Sequence, residues 1–409
     1  MNRRIFLKSS GLAMIAGGFL PGAFVRMAEA SSATSGKVLI TIFLRGAVDG
    51  LNVVAPYGEK TYYASRPTIA IPRPGKDGGA IDLDGFFGIH PSLEALDSLF
   101  RDRSLAFVHA VGSPDSTRSH FDAQDFMESG TPGVKSTRDG FLSRAIGKPL
   151  EEAAPLRAVS LTPNLPRILS GSANAISMRS ISEFGVKAGR AAEPIARSFE
   201  EMYGETVAST GFSTSANGSF EAIRILKESD PTRIRPAGGA KYPRGEFGES
   251  MQQIAQLIKA GVGLEVAFTD VGGWDTHAAQ GASTGQLARL LKNYSDAVAA
   301  FVTDLGAKMD DIVLVTMSEF GRTVKENGNR GTDHGHGNMM IVAGGGVKGG
   351  KVYGKWPGLD ERHLYEGRDL EVTTDFRDVM SEVLTKHCSL RDMSQVFPGF
   401  TPRNVGLLA

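Results

Sequence analysis

Val38-Leu39-Ile40-Thr41-Ile42-Phe43-Leu44 is a run of β-prone residues interrupted by a single threonine. A half-exposed strand alternates apolar and polar positions, whereas this run is apolar on both faces. That is the pattern of a strand whose sheet is covered by helices on both sides. Comparable runs follow at Leu105–Ala110, Arg157–Leu161, Leu264–Phe268, Ile312–Thr316 and Met339–Ala343. Helical patterns fill the intervals, at Leu93–Phe100, on the apolar face made by Phe247, Met251, Ile254, Leu257 and Ile258, and at Thr284–Lys308 and Thr374–His387. This alternation predicts a three-layer α/β/α sandwich with a mainly parallel sheet. Two further helical stretches, 191–203 and 219–227, are joined by polar residues and predict a helical cap at about 185–245.

Upstream of the first strand, Asn2-Arg3-Arg4-Ile5-Phe6-Leu7-Lys8 reads as a twin-arginine signal, with Asn where Ser or Thr is usual. An apolar Gly/Ala-rich stretch from Leu12 to Val25 and a small-x-small site at Ala28-Glu29-Ala30 complete a leader over residues 1–30. The stretch is short and glycine-rich for a membrane span, so a removed leader is expected, an uncleaved anchor being the alternative. The expected partner in export is the twin-arginine translocase and the expected location periplasmic or secreted, with no stable membrane anchor. Residues 31–409 then form one large α/β domain.

Of 409 residues, 45 are Lys or Arg and 45 Asp or Glu, and no basic run stands out. A nucleic-acid partner requires a basic surface excess, so none is expected. The one cysteine, Cys388, excludes an intramolecular disulfide even in an oxidising compartment. It reads as a small buried hydrophobe.

The polar motifs follow the strands. Asp49 lies in Arg45-Gly46-Ala47-Val48-Asp49-Gly50-Leu51-Asn52, just past the first. Ser113–His120 follows the second run, Asp270–His277 follows Leu264–Phe268, and Ser318-Glu319-Phe320-Gly321-Arg322-Thr323 follows Ile312–Thr316. In open α/β sheets ligands bind at the carboxyl edge of the strands. A further loop, Gly331-Thr332-Asp333-His334-Gly335-His336-Gly337, precedes its strand. It joins the same edge if that strand runs antiparallel or the loop folds back. Asp275, His277, Asp333, His334 and His336 bring carboxylate and imidazole together in two glycine-rich loops, in a chain with 8 histidines. Such a donor set suits Zn, Mn or Fe, and the sequence points to a metal-dependent centre.

Each motif also has a plainer reading. Asp49 suits an Asp-Gly turn, and Ser116–Ser119 can cap the helix containing Phe121–Met127. Trp274–His277 can be a packed corner with an Asp–His hydrogen bond, and Arg322 a surface ion pair. His90, His109, His363 and His387 read as ordinary residues.

The segments Ile42–Asn52, Ser116–Gly130, Gly272–His277, Ser318–Thr323 and Gly331–Asn338, in this order and behind this leader, resemble the family called domain of unknown function 1501. The likeness covers essentially the whole chain after the leader. That family in turn resembles the alkaline phosphatase and sulfatase superfamily, whose members set metal ligands and a hydroxyl or formylglycine nucleophile on successive strand ends. The resemblance implies Asp49 as the first-strand metal ligand and Ser116 or Thr117 as nucleophile. It implies Asp275 and His277 as the third-loop ligand pair, and His334 or His336 as the final histidine. Where an adjacent Asp-His pair is usual, this chain has Ser318-Glu319. Glu319 offers one oxygen ligand, and either Asp333-His334 replaces the pair or the site holds a single metal. No cysteine occupies the nucleophile loop, which excludes a formylglycine made from cysteine.

The expectation is therefore an exported metal-dependent hydrolase of phosphate or sulfate esters with an alkaline-phosphatase-like fold. It would use one or two divalent ions (Zn, Mn, Mg or Ca) and act on a small-molecule or glycan ester, with Arg118 or Arg322 stabilising charge on the transferred group. The alternative is a non-catalytic carbohydrate- or partner-binding protein on a degenerate hydrolase scaffold.

Overall fold

The computed structural model describes residues 36–147, 154–171, 175–184 and 211–409. The expected leader, its cleavage site and the 191–203 helix lie outside the described residues, as does the 185–210 part of the expected cap.

The strands are β1 (Val38–Leu44), β2 (Val54–Ala55), β3 (Ile81–Asp82), β4 (Gly88–Ile89), β5 (Leu105–Gly112), β6 (Ala158–Ser160), β7 (Ala175–Ser177), β8 (Val266–Val271), β9 (Ile312–Met317), β10 (Asn338–Gly344), β11 (Val352–Tyr353) and β12 (Thr374–Asp375). Among the described residues one large sheet runs in the order β11-β5-β10-β9-β1-β8-β6-β7, with β12 also paired to β5. β1 sits between β8 and β9, parallel to both. The exception to the parallel arrangement is β10, antiparallel to both β5 and β9. β2, β4 and β3 form a small separate antiparallel sheet.

Both faces of β1 are covered, as its composition requires. Val38, Ile40, Ile42 and Leu44 point into one core, shared with Met251, Ile254 and Leu257 of the Glu246–Ala260 helix and Leu291, Val298 and Phe301 of the Gln286–Leu305 helix. Leu39 and Phe43 point the other way, into a core with Val379, Met380 and Val383 of the Phe376–Lys386 helix. The result is a mixed α/β sandwich of three layers around a mostly parallel sheet. The Gly211–Ser229 helix, in the expected cap region, buries Ala222, Ile225 and Leu226 in the first of these cores. The expected Leu93–Phe100 helix begins as a 3-10 turn over Pro91–Leu96 before the α-helix Asp97–Arg101. Proline is readily accommodated in that first turn because it lacks an N–H to leave unpaired. Among the described residues no helix is long and apolar enough to cross a membrane.

The reversal of β10 positions the site. Loops leaving β1, β5, β8 and β9 emerge at the carboxyl edge of the parallel strands, and an antiparallel β10 begins at that edge. The Gly331–Gly337 loop therefore meets the other four motif loops.

Candidate metal centre

Close backbone contact joins these loops. Gly321 N donates to His336 O and Gly335 N to Gly321 O, both at 2.8 Å, while Thr323 N donates to Asp333 O at 3.0 Å. The segment after β9 and the segment before β10 are thus zipped together. Gly321 has no alternative residue there: a Cβ would lie 1.7 Å from Gly337 O. Gly331 brings the same loop against the segment after β8, where a Cβ would lie 2.4 Å from the His277 carbonyl.

This packing gathers three imidazoles. His120, the first residue of the His120–Ser129 helix after β5, has its Nδ1 2.8 Å from Glu319 Oε1. His334 has its Nδ1 2.8 Å from the Arg118 carbonyl, and His277 has its Nδ1 3.1 Å from Asp333 Oδ1. A carbonyl or ionised carboxylate only accepts, so each Nδ1 carries a proton and donates it, and in the neutral ring Nε2 then presents a lone pair. Those Nε2 atoms face one another: His120 to His334 at 3.0 Å, and His277 to His334 at 2.9 Å. Asp275 completes the group, with Oδ1 3.0 Å from His277 Nε2 and 3.3 Å from His334 Nε2, and Oδ2 3.5 Å from His120 Nε2.

Facing lone pairs repel unless a proton or a cation lies among them. His120 is held ready for a proton: the hydrogen bond to Glu319 raises its pKa, against the opposing effect of burial. Burial lowers that of His334. Burial works to raise the Asp275 pKa, but Arg322 outweighs it and the net shift is downward; Arg322 Nη2 sits 2.5 Å from Oδ1. Glu319 follows the same pattern, with burial opposed by donors from His120 and Gln124, and its pKa is lowered.

The donors also suit a metal ion. Ligand atoms of His120, Asp275 and His334 all lie within 4.8 Å of one another. A tetrahedral ion with metal–nitrogen bonds of about 2.0–2.1 Å sets its ligands about 3.4 Å apart, close to the nitrogen spacings found here. Every ring is also oriented through Nδ1 by a carboxylate or carbonyl, the usual support of metal-bound histidines. The cluster is open on one side: the His277 and Asp275 side chains are 42% and 44% exposed, those of His120 and His334 24%.

Other residues singled out in the sequence are placed differently. Asp49 is buried in a two-pronged ion pair with Arg66, Nη1 to Oδ2 at 2.7 Å and Nη2 to Oδ1 at 2.9 Å. Glu319 Oε1 accepts from Gly46 N and Gln124 Nε2 as well as His120, so it orients a ring. Arg322 is buried, donating to the carbonyls of Gly46, Ala47, Trp274 and Thr332 besides Asp275, and is no surface pair. Arg118 pairs with Asp369 at 2.6 Å and Glu366 at 2.7 Å. His336 is buried and stacked on Tyr365 with ring centroids 4.2 Å apart. Thr117 Oγ1 accepts from Ser119 N at 3.2 Å, Ser119 caps the helix, and Ser116 is exposed. The side chain this loop brings to the cluster is His120.

Sequence reasoning assigned His120 no ligand role. Its signal was its position, ending the polar loop after a core strand and opening a helix. Arg368 was also missed; its Nη2 donates to the His334 carbonyl at 2.6 Å, and its Nε lies 2.9 Å from Asp369.

Among solved structures, the chain is similar to the lipoteichoic acid synthase LtaP from Listeria monocytogenes, with 10% identity and a TM-score of 0.35 over 79% of this chain and 69% of that one. It is similar to the zinc-complexed C-terminal periplasmic domain of EcEptC from Escherichia coli, with 10% identity and a TM-score of 0.34 over 76% and 73% of the two chains. It is also similar to the PsFucS1 sulfatase from Pseudoalteromonas sp., with 12% identity and a TM-score of 0.40 over 95% and 75%. No curated protein sequence matches the chain. Residues 104–399, which span every histidine of the cluster, match the family described as Protein of unknown function (DUF1501), and the chain belongs to that family.

Proposed function

We propose that this protein is an exported, metal-dependent hydrolase of phosphate or sulfate esters. The observation that carries the reading is the convergence of three imidazole Nε2 atoms and the Asp275 carboxylate at an open site, every Nδ1 being tied to an acceptor. His120, Asp275 and His334 hold the ion, with His277 adjoining them. Two nitrogen donors, with a third imidazole adjoining, favour Zn or a similar transition metal over Mg or Ca, which prefer all-oxygen sites. A divalent ion there would supply Lewis acidity toward an ester oxygen and lower the pKa of a nearby water.

The protein's own groups do the rest. Glu319 and Asp333 fix the rings of His120 and His277, and Arg322 fixes Asp275. Arg322 is fully buried and Arg118, 27% exposed, is held by both Glu366 and Asp369. Arg368, paired with Asp369 but 45% exposed and reaching the His334 carbonyl, is the better candidate to meet an oxyanion. Ser116 or Thr117, on the loop that carries His120, is the candidate attacking hydroxyl, with water as the alternative. Export rests on the leader at residues 1–30.

The test is metal analysis of the purified protein, followed by phosphate- and sulfate-ester hydrolysis with and without chelator. Stoichiometric metal and chelator-sensitive turnover are expected. Metal-free protein that turns over no ester even after zinc is added overturns the reading, and the non-catalytic binding protein takes its place.

A further inference from the structure

The structure assigns Gln280 the task of positioning the ligand loops, with Asp49 and Arg66 as its anchor; the inference rests on the metal centre described above. Gln280 is fully buried and joins three of the loops that build that centre. Its Nε2 donates to Asp49 Oδ2 at 2.6 Å. Its Oε1 accepts from Thr276 Oγ1 at 2.7 Å and from Thr332 Oγ1 at 3.0 Å. Thr276 lies between Asp275 and His277, and Thr332 is next to Asp333. The two loops are also stitched directly, Thr332 N donating to Thr276 O at 3.1 Å.

The anchor reaches the third loop. Arg66, whose side chain is 0% exposed, grips both oxygens of Asp49 and donates from Nε to the Val324 carbonyl at 2.9 Å and from Nη2 to the Thr323 carbonyl at 2.9 Å. Thr323 follows Arg322, which holds Asp275. A buried amide has one orientation that serves Asp49 with its NH2 and both threonine hydroxyls with its oxygen, so Gln280 admits one register between the loops. This gives Asp49 a purpose other than ligation. As an anion matched by Arg66, it fixes the orientation of Gln280, and Gln280 fixes the spacing of the ligands.

Partners beyond the ligands commonly change metal affinity by about 10- to 100-fold. Gln280→Met keeps the side chain's length and removes its hydrogen bonds. Zinc titration against a chromophoric chelator should show a dissociation constant raised about 10- to 100-fold. Tyr62→Phe serves as control, because the Tyr62 hydroxyl meets the same network through Asn52 without touching a ligand loop. It should leave zinc affinity within about threefold of wild type, a change of under 1 kcal/mol. Amide hydrogen exchange on metal-free protein provides the second measurement: Gln280→Met should speed exchange in segments 272–279 and 329–336, and Tyr62→Phe should not. Unchanged affinity and unchanged exchange in Gln280→Met, or equal losses in both variants, overturn the assignment. If wild type binds no zinc, the metal reading fails, and the exchange comparison still tests whether Gln280 holds the loops.

Discussion

The Nε2 atoms of His120 and His334 stand 3.0 Å apart, although the residues are separated by 214 positions in the chain and lie on loops at β5 and β10. β5 and β10 are paired antiparallel, with Asn338 opposite Val111, so the end of one and the beginning of the other coincide. Two neutral rings gain nothing by holding lone pairs that close. Glu319 and the Arg118 carbonyl force the arrangement by claiming both Nδ1 protons.

That pairing gives the first prediction. His120→Ala should remove most bound metal, as should His334→Ala, measured by plasma emission on dialysed protein. His336→Phe retains a ring for the stack on Tyr365 and should keep full metal content. Loss of metal from the His336 variant, with retention in the His120 variant, would exchange the two histidines' roles.

A second prediction concerns how the loops meet. Gly321→Ala places a Cβ 1.7 Å from Gly337 O, and both atoms belong to tightly packed segments that cannot yield cheaply. Destabilisation of roughly 2–4 kcal/mol is expected, in the range of severe overpacking. The same change should weaken metal binding, because the segment holding His334 is displaced. Gly328→Ala, in the same loop system but with open space around its Cβ, should be near neutral. Chemical denaturation of both variants, with and without zinc, reads the difference; equal stability of the two would show that the close approach is not obligatory.

Much of the fold was legible because burial on two faces leaves an unambiguous mark. The apolar run Val38–Leu44 coincides with β1, and Met339–Ala343 lies inside β10. The direction of β10 was not legible, since a fully buried strand reads the same both ways, and on that direction depended whether Asp333 and His334 joined the site. Nor could sequence separate groups suited to meet an ion or an ester from the groups that position them. Asp49, Glu319 and Arg322 lie in the right loops and are chemically suited, yet each is buried and faces a partner 17, 199 and 47 positions away in the chain: Arg66, His120 and Asp275 respectively. His120 was hidden for a different reason: nothing in the sequence shows that the first residue of the helix capped by Ser119 turns its ring toward His334.

The third prediction is a pH dependence remote from the cluster. His109 is fully buried on β5, its Nε2 2.9 Å from the Val54 carbonyl and its ring stacked on Phe87. Burial lowers its pKa to about 4. In the unfolded chain the ring titrates near ~6.5. Between those values the unfolded chain binds a proton that the folded one refuses. Stability is therefore full above the unfolded pKa and falls as pH drops toward about 4, by about 3 kcal/mol from this residue. His109→Gln should be less stable at neutral pH but show a shallower decline in denaturation midpoint between the two values. An identical slope would mean that His109 accepts its proton without unfolding.

The last prediction concerns chemistry. If Ser116 or Thr117 attacks the ester, removing the hydroxyl should cost rate far more than substrate binding, because a nucleophile acts mainly in the transition state. Both residues stand within four positions of His120, but their local settings differ: Thr117 Oγ1 accepts from Ser119 N, while Ser116 is exposed. Ser116 is thus freer to turn toward an ester bound at the cluster. Ser116→Ala should lower kcat by ~10³-fold or more, the scale of losing one member of a catalytic unit. Metal content should be unchanged, since neither hydroxyl belongs to the ligand group. Thr117→Ala should have a smaller effect, through the turn that leads into the helix. Full activity in the double variant with metal retained assigns the attack to water. A loss of metal together with rate indicates instead that the loop's main duty is to present His120.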